Sequence, residues 1–468
     1  MLVAYRPRPV EMTSRPASPS ASIHGDSDDD SPISLRPQRS PGLSSAVASV
    51  RLRSPGRQRT CGPARPAIVV KETLDAHFEE LDDDLRRLNQ YIINEEVGRG
   101  SYGAVYRGID TVTGTTYAIK EFSKRKLRRN LMAKQMRQEG PHGGGSMFGV
   151  RSRRKSNAAS DDPLNLIRPE IAILKQLDHV NIARLIEVLD DPSGDSLFVV
   201  LEWCSRGALM DVPASNTPAS PPPYTEEQAR LLFRDLVLGV EYLHSQEVVH
   251  RDIKPDNALI AEDGTLKIVD FGISEIIPQY AMNTPISTPS LAASSTTSPP
   301  PLSVLDKVTK QFAGSPAFMA PEQVVFPRID YSGRAADIWA MGVTLYCITV
   351  GCLPFWSNNQ LDLFELIEKD EFEIPATLSA PLHDLIRALL TKDYTKRIKM
   401  TELRVHPWIT QSGEDPLVAA ELNTAAHVKV TDADVANAFS KTTRSLYVLR
   451  ALSKFKILLR KARSAKGV

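Results

Sequence analysis

The sequence is poor in cysteine and has no long apolar stretch, and both shortages narrow the possible classes of protein. Its 4 cysteines among 468 residues show no metal-ligand spacing. Cys347 and Cys352 lie in an apolar stretch, so we predict buried thiols rather than a disulfide, as in a reducing cytosol or nucleus. No apolar run approaches membrane-spanning length, and residues 1–6 lack the apolar region of a secretory signal. We expect a cytoplasmic protein, with the nucleus as a second compartment.

Net charge is almost absent as well. The counts of 57 Lys+Arg and 56 Asp+Glu give a net charge of +1, which predicts no general attraction to nucleic acid. The hydrophobic share of 42% is enough for a sizeable core. The length fits one large domain with tails, or two domains.

The ends of the chain differ in composition from its centre. Residues 1–70 are rich in Ser, Pro and Arg and lack apolar periodicity, so we predict disorder there. Residues 72–90 carry apolar side chains at helical spacing, which predicts a short helix packed on the next domain. That domain is predicted to span residues 91–409. Residues 410–468 form a predicted regulatory tail that begins with a linker at 414–430.

Two segments inside the domain read as insertions. Residues 124–162 are dense in Lys and Arg, and we predict a mobile segment there. It is either a solvated basic loop or a docking surface for an acidic partner. Residues 283–303 are rich in Ser, Thr and Pro, and we predict that they are disordered.

The most informative stretch is His-Arg-Asp-Ile-Lys-Pro-Asp-Asn at residues 250–257, followed by Asp-Phe-Gly at 270–272. Asp252 can orient a hydroxyl and accept its proton, and Lys254 can neutralise a travelling phosphoryl group. Asn257 and Asp270 offer the hard oxygen ligands that Mg²⁺ prefers. A polar surface loop is the alternative, but two such motifs in this order, between short predicted strands, favour phosphoryl transfer. The pair of motifs resembles the catalytic and magnesium loops of eukaryotic protein kinases.

A glycine-rich stretch lies near the start of the domain, at residues 98–103. Its glycines let the backbone lie over phosphates. A dinucleotide-binding loop has similar letters but needs a helix after the third glycine, and here strands follow instead. Strand, loop, strand and lysine is the kinase order, so Lys120 should hold the α- and β-phosphates. We predict Glu170, at the head of an apolar helical pattern, as its ion-pair partner.

The remaining nucleotide contacts follow from the same order of elements. Residues 202–204 should form the hinge whose backbone meets adenine, and Asp211 could reach the ribose. The predicted ATP-binding residues are Val97, Gly98, Arg99, Gly100, Ser101, Tyr102, Gly103, Ala104, Val105, Ala118, Lys120, Glu202, Cys204, Asp211, Leu259 and Asp270. Asp337 should bind the backbone of the catalytic loop, and Arg397 should pair with Glu322.

Several stretches resemble one kinase family in particular, the calcium/calmodulin-dependent protein kinase kinases. They lie at residues 88–91, 101–103, 123–127, 187–192, 210–213, 317–322 and 341–347. The resemblance implies a bilobal α+β fold with a small β-rich lobe and a larger helical lobe. It also implies that ATP and Mg²⁺ are used to phosphorylate the activation-loop threonine of calmodulin-dependent or AMP-activated-type kinases. The chain departs from the family in having few prolines in the basic insertion, Val180 after His179, and Ser315 where threonine is common.

Two function hypotheses remain. One is an active Ser/Thr kinase and the other is a pseudokinase that binds partner kinases as a scaffold. Pseudokinases usually lose the strand lysine, the catalytic aspartate or the metal aspartate. Lys120, Asp252 and Asp270 are all present, which favours the active enzyme.

The basic tail is the last candidate site. Residues 441–466 contain no acid, and a helix at 438–466 would carry apolar anchors on several faces. This pattern is typical of calmodulin targets, and the resemblance agrees, since the family has an autoinhibitory and calmodulin-binding segment after the kinase domain. A helix packed permanently on the domain, a membrane-surface helix and a docking tail are the alternatives. The predicted calmodulin anchors are Leu446, Leu449, Leu452, Phe455 and Leu459.

Overall fold

We describe the fold from a computed structural model of the chain. It covers residues 70–81, 85–99, 103–138, 163–191, 194–213, 216–219, 221–272, 274–276, 315–325 and 331–425. The segments 1–69, 283–303 and 438–466, and with them the five predicted calmodulin anchors, lie outside these residues.

The first part of the chain is built mainly from strands. They are β1 (Lys71–Thr73), β2 (Phe78–Glu80), β3 (Arg86–Leu88), β4 (Tyr91–Arg99), β5 (Gly103–Asp110), β6 (Thr116–Ser123), β7 (Leu185–Asp190) and β8 (Ser196–Glu202). The helices α1 (Lys124–Gln138) and α2 (Arg168–Gln176) lie between β6 and β7.

These eight strands form one sheet in the order β1-β7-β8-β6-β5-β4-β3-β2. Strand β1 is parallel to β7, and all other neighbours are antiparallel. Only four residues separate β1 at one edge from β2 at the other, so the sheet must curl. Phe78 of β2 accordingly stacks on Phe198 of β8, with 5.5 Å between ring centroids. The curled sheet encloses a small core that includes Leu88, Tyr91 and Ile119.

The predicted helix at residues 72–90 is therefore wrong. Its apolar residues have helical spacing, but three short strands occupy this segment. The segment closes both edges of the sheet, and burial of Ala76 and Leu88 under it outweighs local helix propensity. The sheet thus begins at Lys71, twenty residues before the predicted start of the domain.

The basic insertion also differs from expectation. The structure places its first 15 residues in helix α1, so the predicted mobile segment is wrong for this part. Lys124 is buried and forms a 2.6 Å ion pair with Asp190, and Leu127 is fully buried. Asp195 accepts a hydrogen bond of 2.8 Å from the Arg125 backbone N–H and fixes the start of the helix. Lys124 is therefore part of the fold rather than of a free docking surface.

Helices dominate the second part of the chain. They are α3 (Glu226–Ser245), α4 (Pro321–Val324), α5 (Gly333–Val350), α6 (Gln360–Lys369), α7 (Ala380–Leu389), α8 (Met400–Leu403), α9 (Pro407–Thr410) and α10 (Ala420–Asn423). The short strands β9 (Val248–Val249), β10 (Ala258–Ile260), β11 (Leu266–Ile268) and β12 (Glu275–Ile276) pair as β10-β11 and β9-β12. A 3-10 turn at Pro255–Asn257 leads into β10.

The long helix α3 runs through the main core. Thr225 and Gln228 form a reciprocal capping box at its start. Leu232, Leu236 and Leu243 on its inner face are fully buried. The helix supports β9 and β11, and so the loop between β9 and β10 that carries the candidate site.

The predicted linker at 414–430 is wrong for the part that the structure describes. Asp415 forms ion pairs of 3.0 Å with Arg230 and Arg234 of α3. Asn423 of α10 is buried and donates a hydrogen bond of 3.0 Å to the Leu238 carbonyl. The segment is packed on α3 because its polar side chains form ion pairs and hydrogen bonds with α3 residues almost two hundred positions earlier in the chain.

The prediction that Cys347 and Cys352 are buried thiols is confirmed. Cys204, Cys347 and Cys352 are buried free thiols, and Cys61 lies outside the described segments. No helix within the ranges given above is long and apolar enough to cross a bilayer.

Candidate active site

Asp337 of α5 holds the loop that carries Asp252. The Asp337 carboxylate accepts hydrogen bonds from the backbone N–H groups of His250 (2.9 Å) and Arg251 (2.8 Å), which confirms the predicted contact. His244 Nε2 lies 2.9 Å from the same carboxylate. Burial alone would raise the pKa of Asp337, but these contacts and the nearby His250 hold it below its ordinary value. Asp337 therefore stays ionised and fixes the backbone just before Asp252, where Arg251 has φ +70°.

Asp252 is the centre of a compact polar cluster. Its Oδ2 accepts hydrogen bonds from Lys254 Nζ at 2.8 Å and Asn257 Nδ2 at 2.9 Å. Its Oδ1 accepts from the Ser315 hydroxyl at 3.1 Å and the Ser315 backbone N–H at 3.0 Å. Lys254 Nζ also lies 2.7 Å from Ser315 Oγ. The cluster presents a carboxylate and an ammonium group side by side.

A second cluster joins the curled sheet to the helical part. Lys120 Nζ in β6 lies 2.6 Å from Glu170 Oε1 in the first turn of α2, and 3.1 Å from Asp270 Oδ1. Burial would lower the pKa of Lys120, but the carboxylates of Asp270 and Glu170 raise it above the ordinary value. Burial likewise opposes ionisation of Asp270, but Lys120 holds the pKa of Asp270 below the ordinary value. Burial raises the pKa of Glu170, against the attraction of Lys120.

Asn257 and Asp270 fit a hard divalent cation. The Oδ1 atom of Asn257 is buried and has no hydrogen-bond partner among the residues that the structure describes. The Asp270 carboxylate is ionised at neutral pH for the reason just given. No group of three or more Asp, Glu, His or Cys side chains in the described ranges is arranged as a metal site. Two protein ligands suit Mg²⁺, which usually keeps several waters and binds substrate phosphates.

The predicted nucleotide-binding residues lie on three adjoining elements. Val97, Gly98 and Arg99 end β4, and Gly103, Ala104 and Val105 begin β5. The register of β5 and β6 sets Val105 opposite Lys120. A Cβ at Gly103 would lie 1.6 Å from the Glu121 carbonyl oxygen, so only glycine fits there. Gly100, Ser101 and Tyr102 lie outside the described residues.

The predicted hinge at residues 202–204 begins with the last residue of β8. Glu202 is the last residue of that strand, and the register sets Ala118 of β6 beside its neighbour Leu201. Cys204 is buried, which raises the pKa of its thiol to about 12. Leu259 lies in β10 below. Asp211 is exposed. Burial raises the pKa of Asp256 in the catalytic loop, and the negative charge of Asp211 raises it further.

Two supporting contacts were not anticipated from the sequence. His250 packs edge-on against Phe271, with 5.1 Å between ring centroids, and its Nε2 lies 3.0 Å from the Val269 carbonyl. Lys267 is buried in β11 and pairs with Glu202 at 2.8 Å, which fixes the hinge side chain. A lysine between Leu266 and Ile268 in an apolar strand was the available signal for a buried ion pair.

Comparison with known proteins agrees with this geometry. The model of the protein kinase domain family matches residues 142–409. A calcium/calmodulin-dependent protein kinase kinase of Emericella nidulans is 37% identical over 449 residues, covering 91% of this chain and 79% of the relative. The chain belongs to the calcium/calmodulin-dependent protein kinase kinase family. The bilobal α+β kinase fold and a protein Ser/Thr kinase activity follow, as the sequence predicted.

Other relatives extend the comparison. A calcium/calmodulin-dependent protein kinase kinase of Caenorhabditis elegans is 36% identical over 383 residues, which are 80% of this chain and 61% of that protein. The serine/threonine-protein kinase GRIK2 of Arabidopsis thaliana is 35% identical over 348 residues, 74% of this chain and 72% of that protein. The scaffold alternative finds no support in these relatives, because each is named as a kinase.

Proposed function

We propose that this kinase phosphorylates the activation-loop threonine of other protein kinases, of the calmodulin-dependent or AMP-activated type. The proposal is carried by the Asp252 cluster, in which Lys254 and Ser315 hold the carboxylate ready for an incoming hydroxyl. The names of the relatives from Emericella nidulans and Caenorhabditis elegans support the choice of kinases as substrates.

The residues suggest a division of labour during transfer. Asp252 orients the substrate hydroxyl and accepts its proton while that oxygen bonds to the γ-phosphorus of ATP and the bond to the β-phosphate oxygen breaks. Lys254 lies 2.8 Å from the Asp252 carboxylate and neutralises charge on the moving phosphoryl group. Lys120, fixed by Glu170, binds the α- and β-phosphates. Asn257 and Asp270 would hold Mg²⁺, which neutralises phosphate charge when bound.

The substrate proposal is tested with a catalytically dead partner kinase as acceptor. The full chain should transfer label from ATP to wild-type acceptor, and much less to an acceptor whose activation-loop threonine is alanine. Asp252→Asn is the matched control, because it keeps the shape of the side chain but removes the carboxylate. Labelling that is independent of the acceptor threonine would contradict the kinase-kinase role while leaving the kinase activity intact.

We also propose that calcium-loaded calmodulin regulates the enzyme through residues 438–466. The support is the acid-free composition of this segment, its apolar anchors, and the name of the first relative. The tail would cover the substrate cleft until calmodulin removes it. A peptide of residues 438–466 should bind calmodulin in calcium and be released by chelator.

Truncation at Thr431 provides the matching test in the full enzyme. It keeps the packed segment that contains Asp415 and Asn423 and removes only the basic part of the tail. Basal activity should rise and calcium dependence should disappear. A peptide that fails to bind calmodulin at micromolar concentration would contradict this regulation.

A further inference from the structure

The N-terminal strand β1 lies beside the helix that carries Glu170. Strand β1 pairs in parallel with β7 at the edge of the sheet, with Lys71 opposite Glu187 and Thr73 opposite Leu189. Residues 71–73 precede the glycine-rich loop in the sequence and are not among the predicted nucleotide residues. Strand β1 is nevertheless held against α2, the helix whose Glu170 pairs with Lys120.

A buried carboxylate anchors this strand. Glu187 accepts hydrogen bonds from Thr73 Oγ1 (2.5 Å), Gln90 Nε2 (3.0 Å) and Tyr91 OH (2.8 Å). Lys71 Nζ lies 3.0 Å from the same carboxylate. All four partners come from residues 71–91, so one side chain of β7 fastens the whole N-terminal flank. The anchor also joins two of the stretches that resemble the kinase family, at residues 88–91 and 187–192.

Strand β1 reaches helix α2 through a second ion pair. Glu72 forms a short ion pair with Lys175, which lies in the last turn of α2. Glu72 is an exposed residue, and the side chains of Glu72 and Lys175 keep 30% and 18% exposure, so salt screens this pair in part. Lys175 is five residues beyond Glu170, or about 7.5 Å along the helix axis.

Helix α2 is therefore tied down at both ends by ion pairs. Glu170 in its first turn pairs with Lys120 of β6, and Lys175 in its last turn pairs with Glu72 of β1. A helix held at one point can tilt about it, whereas two points at opposite ends fix its direction. The first residue before α2, Ile167, supplies no side-chain cap, so the helix start gains no such restraint of its own.

We propose that Glu72 and Lys175 are positioning residues for the Lys120–Glu170 ion pair, and that β1 is a brace on helix α2. Glu187 holds β1 in place, and Glu72 of β1 holds the last turn of α2 through Lys175. Loss of the brace lets α2 tilt and lengthens the Lys120–Glu170 contact, so ATP is held less well for transfer. The inference rests on the kinase activity itself and not on the choice of substrate or on calmodulin.

The test uses the full chain, a generic substrate protein, and the variants Glu72→Lys, Lys175→Glu and their double variant. Each single variant should lower kcat/KM for ATP by about 2- to 5-fold, the range expected for a partly shielded ion pair. The double variant restores opposite charges and should recover at least half of the loss. Glu79→Lys is the matched control, because Glu79 pairs with Arg87 on the same flank but lies in β2, at the opposite edge of the sheet from β1.

A second background separates positioning from simple stabilisation. In a Glu170→Gln enzyme the brace has no ion pair left to position, so adding Glu72→Lys should change kcat/KM for ATP by less than 1.5-fold. A purely structural role would lower the activity by the same factor in both backgrounds. Equal losses in both backgrounds, or a double variant no better than the single ones, would overturn the proposal. Thermal unfolding of every variant shows whether it is folded under the assay conditions.

Discussion

The carboxylates of Asp252 and Glu187 each lie in a cluster of hydrogen-bond donors, but the first serves catalysis and the second stabilises the fold. Each accepts hydrogen bonds from several donors that include a lysine. The Asp252 side chain keeps 14% exposure toward the cleft, whereas that of Glu187 keeps only 2%. Asp252 can thus still meet a substrate hydroxyl, while Glu187 is closed off by the flank it holds. A buried carboxylate with many donors is a catalytic candidate only where solvent or substrate can reach it.

The origin of the donors separates the two clusters as clearly. Lys254 and Asn257 lie two and five residues from Asp252, although Ser315 is 63 residues away. Thr73 and Tyr91 lie 114 and 96 residues from Glu187. A cluster built from neighbours in sequence leaves a motif, whereas a cluster built by sheet pairing leaves none that can be read from one sequence.

The largest expected effect is on catalysis at the open cluster. Asp252→Ala removes the proton acceptor and should lower kcat by about 10²–10⁴-fold. Asp270→Ala should lower kcat further, because phosphate charge then goes uncompensated. ADP-release or radiolabel-transfer assays measure both, and nucleotide titration should show that Asp252→Ala still binds ATP. Full turnover by either variant would remove these residues from the catalytic role.

The next effect is on stability at the closed cluster. Glu187→Ala leaves Tyr91, Thr73 and Gln90 without their acceptor and should lower the free energy of unfolding by about 2–3 kcal/mol. Urea unfolding followed by tryptophan fluorescence measures the change. The control is Glu79→Ala on the same flank, where an exposed pair at 3.7 Å should contribute less than about 0.5 kcal/mol. A Glu187→Ala protein as stable as the control would show that the anchor contributes nothing.

The same contrast explains what the sequence could predict. The catalytic loop was predicted from its motif, Lys120 from its place after the glycine-rich loop, and Glu170 from its place at the head of an apolar helical pattern. Residues 72–90 were misread because their apolar spacing matches a helix, although pairing with β7 and β4 decides their structure. Residues 414–424 were misread as a linker because Asp415 and Asn423 find their partners on α3. Local patterns were sufficient for the site but not for the segments that brace it.

The smallest effect concerns the pH dependence of the closed cluster. Burial and the adjacent Glu187 carboxylate raise the pKa of Tyr91 above its ordinary value of 10.0. The unfolded chain releases this proton above pH 10 while the folded chain keeps it. The stability that Tyr91 contributes is therefore complete below pH 10 and is lost as pH rises toward the folded pKa. The Asp252 cluster contains no tyrosine and gives no such pH dependence.

Tyr91→Phe and Thr73→Val make this prediction measurable, since each removes one hydroxyl donor from Glu187. At pH 8 each should lower the free energy of unfolding by about 1.5 kcal/mol. Between pH 10 and 11 the deficit of Tyr91→Phe should shrink by about 1 kcal/mol, because only the wild type then loses stability through Tyr91. The deficit of Thr73→Val should stay constant, because threonine does not titrate. Parallel behaviour of the two variants would mean that Tyr91 ionises normally and that Glu187 does not act on it as a buried negative charge.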